Sequence, residues 1–302
     1  MINKYFFLLL LFLTSCLNNI TTIKKKEVEG DVFDLLGNDY RLFKNTPIWD
    51  LAKAVRDGNT SEIKKLVQFQ KMEIDYQEPK FGSTLLMLTV LNEQYNSAKT
   101  LLENGANPNK HDTYTGISAM IYAAAIQNQN DDNTKFLKLM LSHGGNPNDE
   151  ETGNRQIGNS TRKTPLLVAC ADVMQDVTPI EKVKLLVEAG ADINHKNEYG
   201  ATALQKALTE EHYDVILYLL QRGVDIGVPI TEHPDGKKSY LIGLMRYDAF
   251  PLDSKKYQDK MKVVEFLKQK GIDYRKLPIP DKVVRDAKIL YPNNWQEYLD
   301  KY

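Results

Sequence analysis

The chain has 302 residues, with 39 Lys and Arg against 40 Asp and Glu, a net charge of −1. That balance gives no bulk electrostatic pull toward nucleic acid or anionic lipid, and no nucleic-acid partner is expected. Its two cysteines, Cys16 and Cys170, are too few for a disulfide framework or a zinc knuckle, so core packing must hold the fold together.

The first element is a leader. Lys4 precedes an unbroken apolar run at residues 5–13, less than half of the roughly twenty residues needed to cross a bilayer core. A positive start, a short greasy run and small residues are the pattern of a cleaved export signal. The closing Leu13-Thr14-Ser15-Cys16 resembles the lipobox of bacterial lipoproteins. The resemblance implies removal of residues 1–15, a diacylglyceryl thioether on Cys16 and an acylated amino group. The alternative is an ordinary secretory leader with an incidental cysteine. Leu17 stands where an Asp would favour inner-membrane retention, so the expected location is the outer membrane, facing the periplasm. Residues 16–46 read as a lipidated tether and lead-in, most solvated at Lys24-Lys25-Lys26.

A repeated sentence follows. Thr84-Leu85-Leu86-Met87 opens a stretch that closes at Leu101-Leu102-Glu103-Asn104-Gly105-Ala106-Asn107-Pro108-Asn109. Thr164-Pro165-Leu166-Leu167 opens another, closing at Gly190-Ala191-Asp192-Ile193-Asn194, and Thr202-Ala203-Leu204-Gln205 opens one closing at Gly223-Val224-Asp225-Ile226. A hydroxyl caps the first helix of each pair and Pro165 sits in a first turn, where a missing N–H costs nothing. Small residues such as Ala169, Cys170 and Ala207 let paired helices approach, and the glycines supply the left-handed residue that ends the second helix. This order resembles the ankyrin repeat. The implied fold is all-α, an ankyrin-repeat solenoid of about six helix-turn-helix units with β-hairpin-like fingers. The repeats are assigned to residues 47–274 and a C-terminal helical cap to 275–302.

The repeats depart from the family's pattern. Its opening histidine is replaced by Met87, Ile121, Leu167, Gln205 and Ile242, so stability leans on contacts between neighbouring units. The gap from the second small-residue site to the closing leucine pair is eleven residues in units two (Val90 to Leu101) and five (Leu208 to Leu219). It is sixteen in units three and four and twenty-two in unit six (Met245 to Leu267), which places insertions between the paired helices. A further stretch, residues 149–163, lengthens one finger. Added loop length costs little, so drift is one reading; a gathered partner-specific surface is the other.

No converging set of reactive groups marks an enzyme, and no cofactor is expected. His111, His143, His195, His212 and His233 are scattered. Glu210-Glu211-His212 occupies an inter-helix turn, and Asp131-Asp132-Asn133 lacks the glycine and distal glutamate of a calcium loop. Cys170 reads as a buried small hydrophobe.

Arrays of this family bind proteins through finger tips and the exposed side of the first helices. Carried to matching positions, the resemblance implies contacts at Lys110, Asp112 and Tyr114 in one finger and at Lys196, Asn197, Glu198 and Tyr199 in another. The finger tyrosines could equally pack on the next finger. The expected work is stoichiometric, non-catalytic protein binding at a membrane held through lipid on Cys16. The chain also resembles exported ankyrin lipoproteins that act as immunity factors against secreted antibacterial effectors, phospholipases among them. The alternative is a periplasmic scaffold or stress-protection protein binding a resident envelope enzyme.

Overall fold

Four helix pairs open on one recurring hydrogen bond. Thr84, Ser118, Thr164 and Thr202 sit in extended backbone, and their hydroxyls accept from the N–H groups of Met87, Ile121, Leu167 and Gln205. Each such cap stabilises its helix by about 1 kcal/mol. The computed structural model describes residues 35–126, 134–153, 162–171, 179–232 and 235–302. The chain divides into two units, Met1–Leu35 and Leu36–Tyr302. Leu35 alone of the first is described, so Cys16 and Lys24-Lys25-Lys26 lie outside the described residues.

The second unit is six helix pairs in series. They are α1 (Trp49–Arg56) with α2 (Thr60–Gln68), α3 (Leu85–Leu91) with α4 (Tyr95–Glu103), and α5 (Ala119–Ala125) with α6 (Lys135–Ser142). Then come α7 (Pro165–Cys170) with α8 (Ile180–Glu188), α9 (Ala203–Thr209) with α10 (Tyr213–Gln221), and α11 (Leu241–Met245) with α12 (Lys255–Gln269). First helices pack on first helices from α1 through α11, while second helices pack α2 on α4, α4 on α6, α8 on α10 and α10 on α12. The seam is built of small and aliphatic side chains: Ala124, Ala169, Cys170 and Ala207 are at most 1% exposed. Before α1, a 3₁₀ turn at Tyr40–Phe43 buries Tyr40, Leu42 and Phe43, and Asn92 donates to the Asn38 carbonyl at 2.8 Å, tying the lead-in to unit two.

Neighbouring units are also joined by a ladder of short polar side chains. Asp75, Asn109, Asn148 and Asn194 accept from the N–H groups of Asn107, Asn146, Asp192 and Asp225 in the following unit, at 2.7–2.9 Å. Asn109 and Asn148 also donate to the carbonyls of Gly144 and Gly190. This gives the recurring Asn-Pro-Asn and Asp-Ile-Asn closures a physical role. At the next step the position is Gly227, which has no side chain to reach onward.

The insertions lie where the spacing predicts them. Units two and five join their helices through three residues; in units three and four the added residues 127–133 and 172–178 lie outside the described residues, as does Asp131-Asp132-Asn133. Unit six corrects the sequence register by one. Its first helix is capped at Tyr240, not Ser239, so Gly243, and not Ile242, takes the position of the family's histidine. Two further helices, α13 (Asp281–Leu290) and α14 (Trp295–Lys301), follow a 3₁₀ turn at Tyr274–Lys276. Tyr298 donates to the Phe250 carbonyl at 3.0 Å and Tyr302 to the Arg246 carbonyl at 2.6 Å, closing the sixth unit.

Candidate functional site

Between units the chain makes five fingers, at residues 75–84, 109–118, 148–164, 194–202 and 227–240. One backbone hydrogen bond closes each: Glu78 to Ser83, Asp112 to Ile117, Glu151 to Lys163, Asn197 to Ala201 and Ile230 to Ser239, at 2.8–3.1 Å. Within the fifth, β1 (Thr231–Glu232) pairs antiparallel with β2 (Lys238–Ser239). The third is the longest, and its residues 154–161 lie outside the described residues.

A buried polar side chain organises each of three tips from inside. Glu78 is 1% exposed and accepts from the N–H groups of Lys80, Phe81 and Ser83. Asp112 accepts from the N–H groups of Tyr114, Thr115 and Gly116 and from the Thr115 hydroxyl. Asn197 accepts from the N–H groups of Tyr199 and Ala201. Asp112 and Asn197 are therefore turned inward, with their side-chain oxygens committed to the finger. The side chains presented outward are Tyr114, 62% exposed, and Tyr199, 67% exposed, together with the exposed Lys196, whereas the Glu198 side chain is largely covered and turned to Arg162. Lys110 reaches back, its Nζ donating to the Asp75 carbonyl at 2.8 Å.

The fingers are fastened to one another. The Tyr114 ring meets Phe81 edge-on, with centroids 5.4 Å apart, while its N–H and that of Thr113 donate to the Phe81 carbonyl. Packing and exposure thus coexist in this tyrosine. Thr152 donates to the Gly116 carbonyl at 2.9 Å, and a Cβ on Gly116 would lie 1.8 Å from the Gly153 nitrogen. Arg162, which residue type and spacing gave no reason to single out, lies 3.3 Å from Glu198 and donates to the Glu151 carbonyl. Fingers two, three and four are therefore linked in sequence.

Among the described residues, serine, histidine and aspartate meet at Ser118, His111 and Asp149. Asp149 accepts from the Ser118 hydroxyl and lies 3.0 Å from His111 Nε2. The carboxylate stands between hydroxyl and imidazole, so the imidazole is not placed to take the serine proton; the cluster ties finger two to finger three. Cys170 is fully buried, and burial pushes its thiol up to about 12, far from a reactive thiolate. Among the described residues no group of His, Cys, Asp and Glu is arranged to hold a metal.

Stacked helix pairs with linked, outward-facing fingers define a repeat protein whose working part is an extended surface. The family model for ankyrin repeats, in three copies, matches residues 51–151, 92–196 and 120–230, more than half of the chain. The chain belongs to the ankyrin-repeat family, whose members act chiefly by binding other proteins. It is 26% identical over 231 residues to the ankyrin repeat and KH domain-containing protein mask-1 of Caenorhabditis elegans, covering 76% of this chain and 7% of that protein. It is also 26% identical over 146 residues to the putative ankyrin repeat protein FPV034 of fowlpox virus, covering 48% of this chain and 29% of the relative. The chain thus spans less than a third of either relative. The crystal structure of EF0377, an ankyrin repeat protein, aligns with a TM-score of 0.49 at 24% identity, covering 71% of this chain and 96% of that one.

Proposed function

We propose that fingers two to four form the partner-binding surface of a lipid-anchored array, and that the partner is a secreted antibacterial effector such as a phospholipase. The observation that carries the binding surface is the pair of exposed tyrosines, Tyr114 and Tyr199, each seated on a buried, hydrogen-bonded side chain. A tyrosine has only two side-chain torsions to fix on binding and brings a large contact area, which suits a hot spot. The lengthened third finger lies between them in the series. In this reading lipid on Cys16 holds the array at the outer membrane, facing the periplasm, and raises its local concentration where a lipid-attacking enzyme would work.

The test uses residues 17–302 as bait in native envelope extract, beside the Tyr114→Asp/Tyr199→Asp variant. A single stoichiometric lipase, nuclease or peptidoglycan hydrolase that the variant fails to retain, and against which the wild type protects cells, supports the proposal. Capture of resident envelope enzymes without any protective effect would replace immunity with a scaffold role.

A further inference from the structure

The near-zero net charge conceals a segregation along the stack. Residues 85–226, which contain units two to five, carry 12 Lys and Arg against 18 Asp and Glu; residues 237–302, the sixth unit and the cap, carry 15 against 9. The far end is thus six charges positive and the middle six negative. The excess meets an apolar edge on α13. Val283 and Ala287 face the core, fully buried, so the outward side carries Lys282, Arg285, Lys288 and Ile289. Ile289 is 76% exposed and Leu290 beside it 37%. Lys288 lies 4.7 Å from the centre of the half-buried Trp295 ring. The acids on this helix are Asp281, at the opposite end of this face, and Asp286, 2.9 Å from Lys282, and α14, packed beside it, adds Asp300 and Glu297, the latter 2.8 Å from Lys301.

We propose that the cap is a peripheral membrane-docking surface, with α13 lying against an anionic phospholipid bilayer: Ile289 and Leu290 enter the headgroup layer beside Trp295, while Arg285 and Lys288 meet lipid phosphates. An aliphatic tip flanked by cations and an indole is the chemistry of an interfacial helix. Shape favours a bilayer over a folded protein. The outward side of α13 is the convex edge of one ten-residue helix, whereas a rigid partner needs about 800 Å² of matched surface. The groove of about 460 Å³ in this part of the molecule lies elsewhere, between α10 and α12, lined by Leu217, Met261 and Phe266. A bilayer conforms to a ridge. This contact is separate from any lipid on Cys16.

The experiment is co-sedimentation of residues 17–302, which lack Cys16 and retain the whole Leu36–Tyr302 unit, with vesicles of phosphatidylcholine alone or mixed with phosphatidylglycerol. The expected result is binding to the anionic vesicles only, weakening as salt rises. Neutralising two cations in Arg285→Gln/Lys288→Gln lowers partitioning about twenty-fivefold, near fivefold for each charge. Ile289→Ser weakens binding at low and high salt alike. All these side chains are exposed, and an unchanged urea midpoint confirms that the variants fold. No sedimentation, equal binding to neutral vesicles, or wild-type binding by both variants would overturn the proposal.

Discussion

Lys260 is the residue whose surroundings differ most from its chemistry. It is fully buried, donates to the Asp248 carbonyl at 2.7 Å, and lies 4.0 Å from the Tyr302 ring centre and 5.1 Å from that of Tyr274. Burial drives its ammonium down from an ordinary 10.5 to about 7; the Asp248 carboxylate opposes that fall and Arg246 adds to it. The unfolded chain keeps this proton up to about pH 10, so above about 7 unfolding takes up a proton at this site and stability climbs with pH until about 9. Below 7 both states are charged and this contribution is flat. From about pH 9 the Cys170 thiol, raised by burial to about 12, offsets that climb, and above 10 the buried tyrosines, whose hydroxyls are raised by burial, reverse the slope, because the unfolded chain loses those protons first. The unfolding free energy from urea titrations should rise from pH 7 to 9 by at most about 1.4 kcal/mol per pH unit, and Lys260→Met should abolish the rise. A flat wild-type profile would mean that Lys260 stays charged in the fold. The buried Cys170 gives a simpler test: its thiol should ignore a disulfide reagent until the protein is unfolded.

At the scale of the element, the fingers separate two costs of side-chain addition. Gly116 and Gly200 hold the same left-handed φ of +73°, yet a Cβ on Gly116 meets Gly153 and Thr152 backbone while one on Gly200 meets nothing within 4 Å. Gly200→Ala should therefore cost only the backbone strain, about 1–2 kcal/mol. Gly116→Ala adds a clash that must part fingers two and three, and should cost at least about 2 kcal/mol more, within the range of severe overpacking. Equal losses by chemical denaturation would show that the two fingers are not in firm contact. The inter-helix turns offer the opposite change. Glu93 holds φ at 55° where unit one has Gly58 at 67°, so Glu93→Gly should raise stability by about 0.5–1 kcal/mol as relief of strain exceeds the added chain entropy.

Across the whole molecule, the series of helix pairs was legible because small residues, capping hydroxyls and closing glycines recur in one order. The insertions were legible because spacing is arithmetic. What spacing could not tell was which way a polar side chain turns. Asp112 and Tyr114 stand two residues apart, yet one is buried under the finger's own N–H groups and the other exposed. Spacing does not mark Lys260 either, since it is buried against Tyr274 and Tyr302, far along the chain. The one-residue slip in unit six, Ile242 for Gly243, has the same source: spacing does not show that Ser239 belongs to the β1–β2 pair and that the helix starts after Tyr240. The polar ladder has its own consequence. It runs from Asp75 to Asn194 and meets Gly227, so unit six is joined to unit five by α9 on α11 and α10 on α12, by the Tyr213 ring against Phe250, by the Tyr213 hydroxyl on Asp248 and by Lys256 on Glu211. In a one-dimensional stack each interface sets the opening of what lies beyond it. Native-state hydrogen exchange should therefore show α11 through α14 opening together, at lower free energy than α3 through α10. Tyr213→Phe removes the hydroxyl from the half-buried Asp248 carboxylate and should lower that opening by about 1–3 kcal/mol, leaving units two to four within about 0.5 kcal/mol of wild type. Uniform weakening of all six units would instead mean that the stack unfolds as one body and that the missing ladder step is without mechanical consequence.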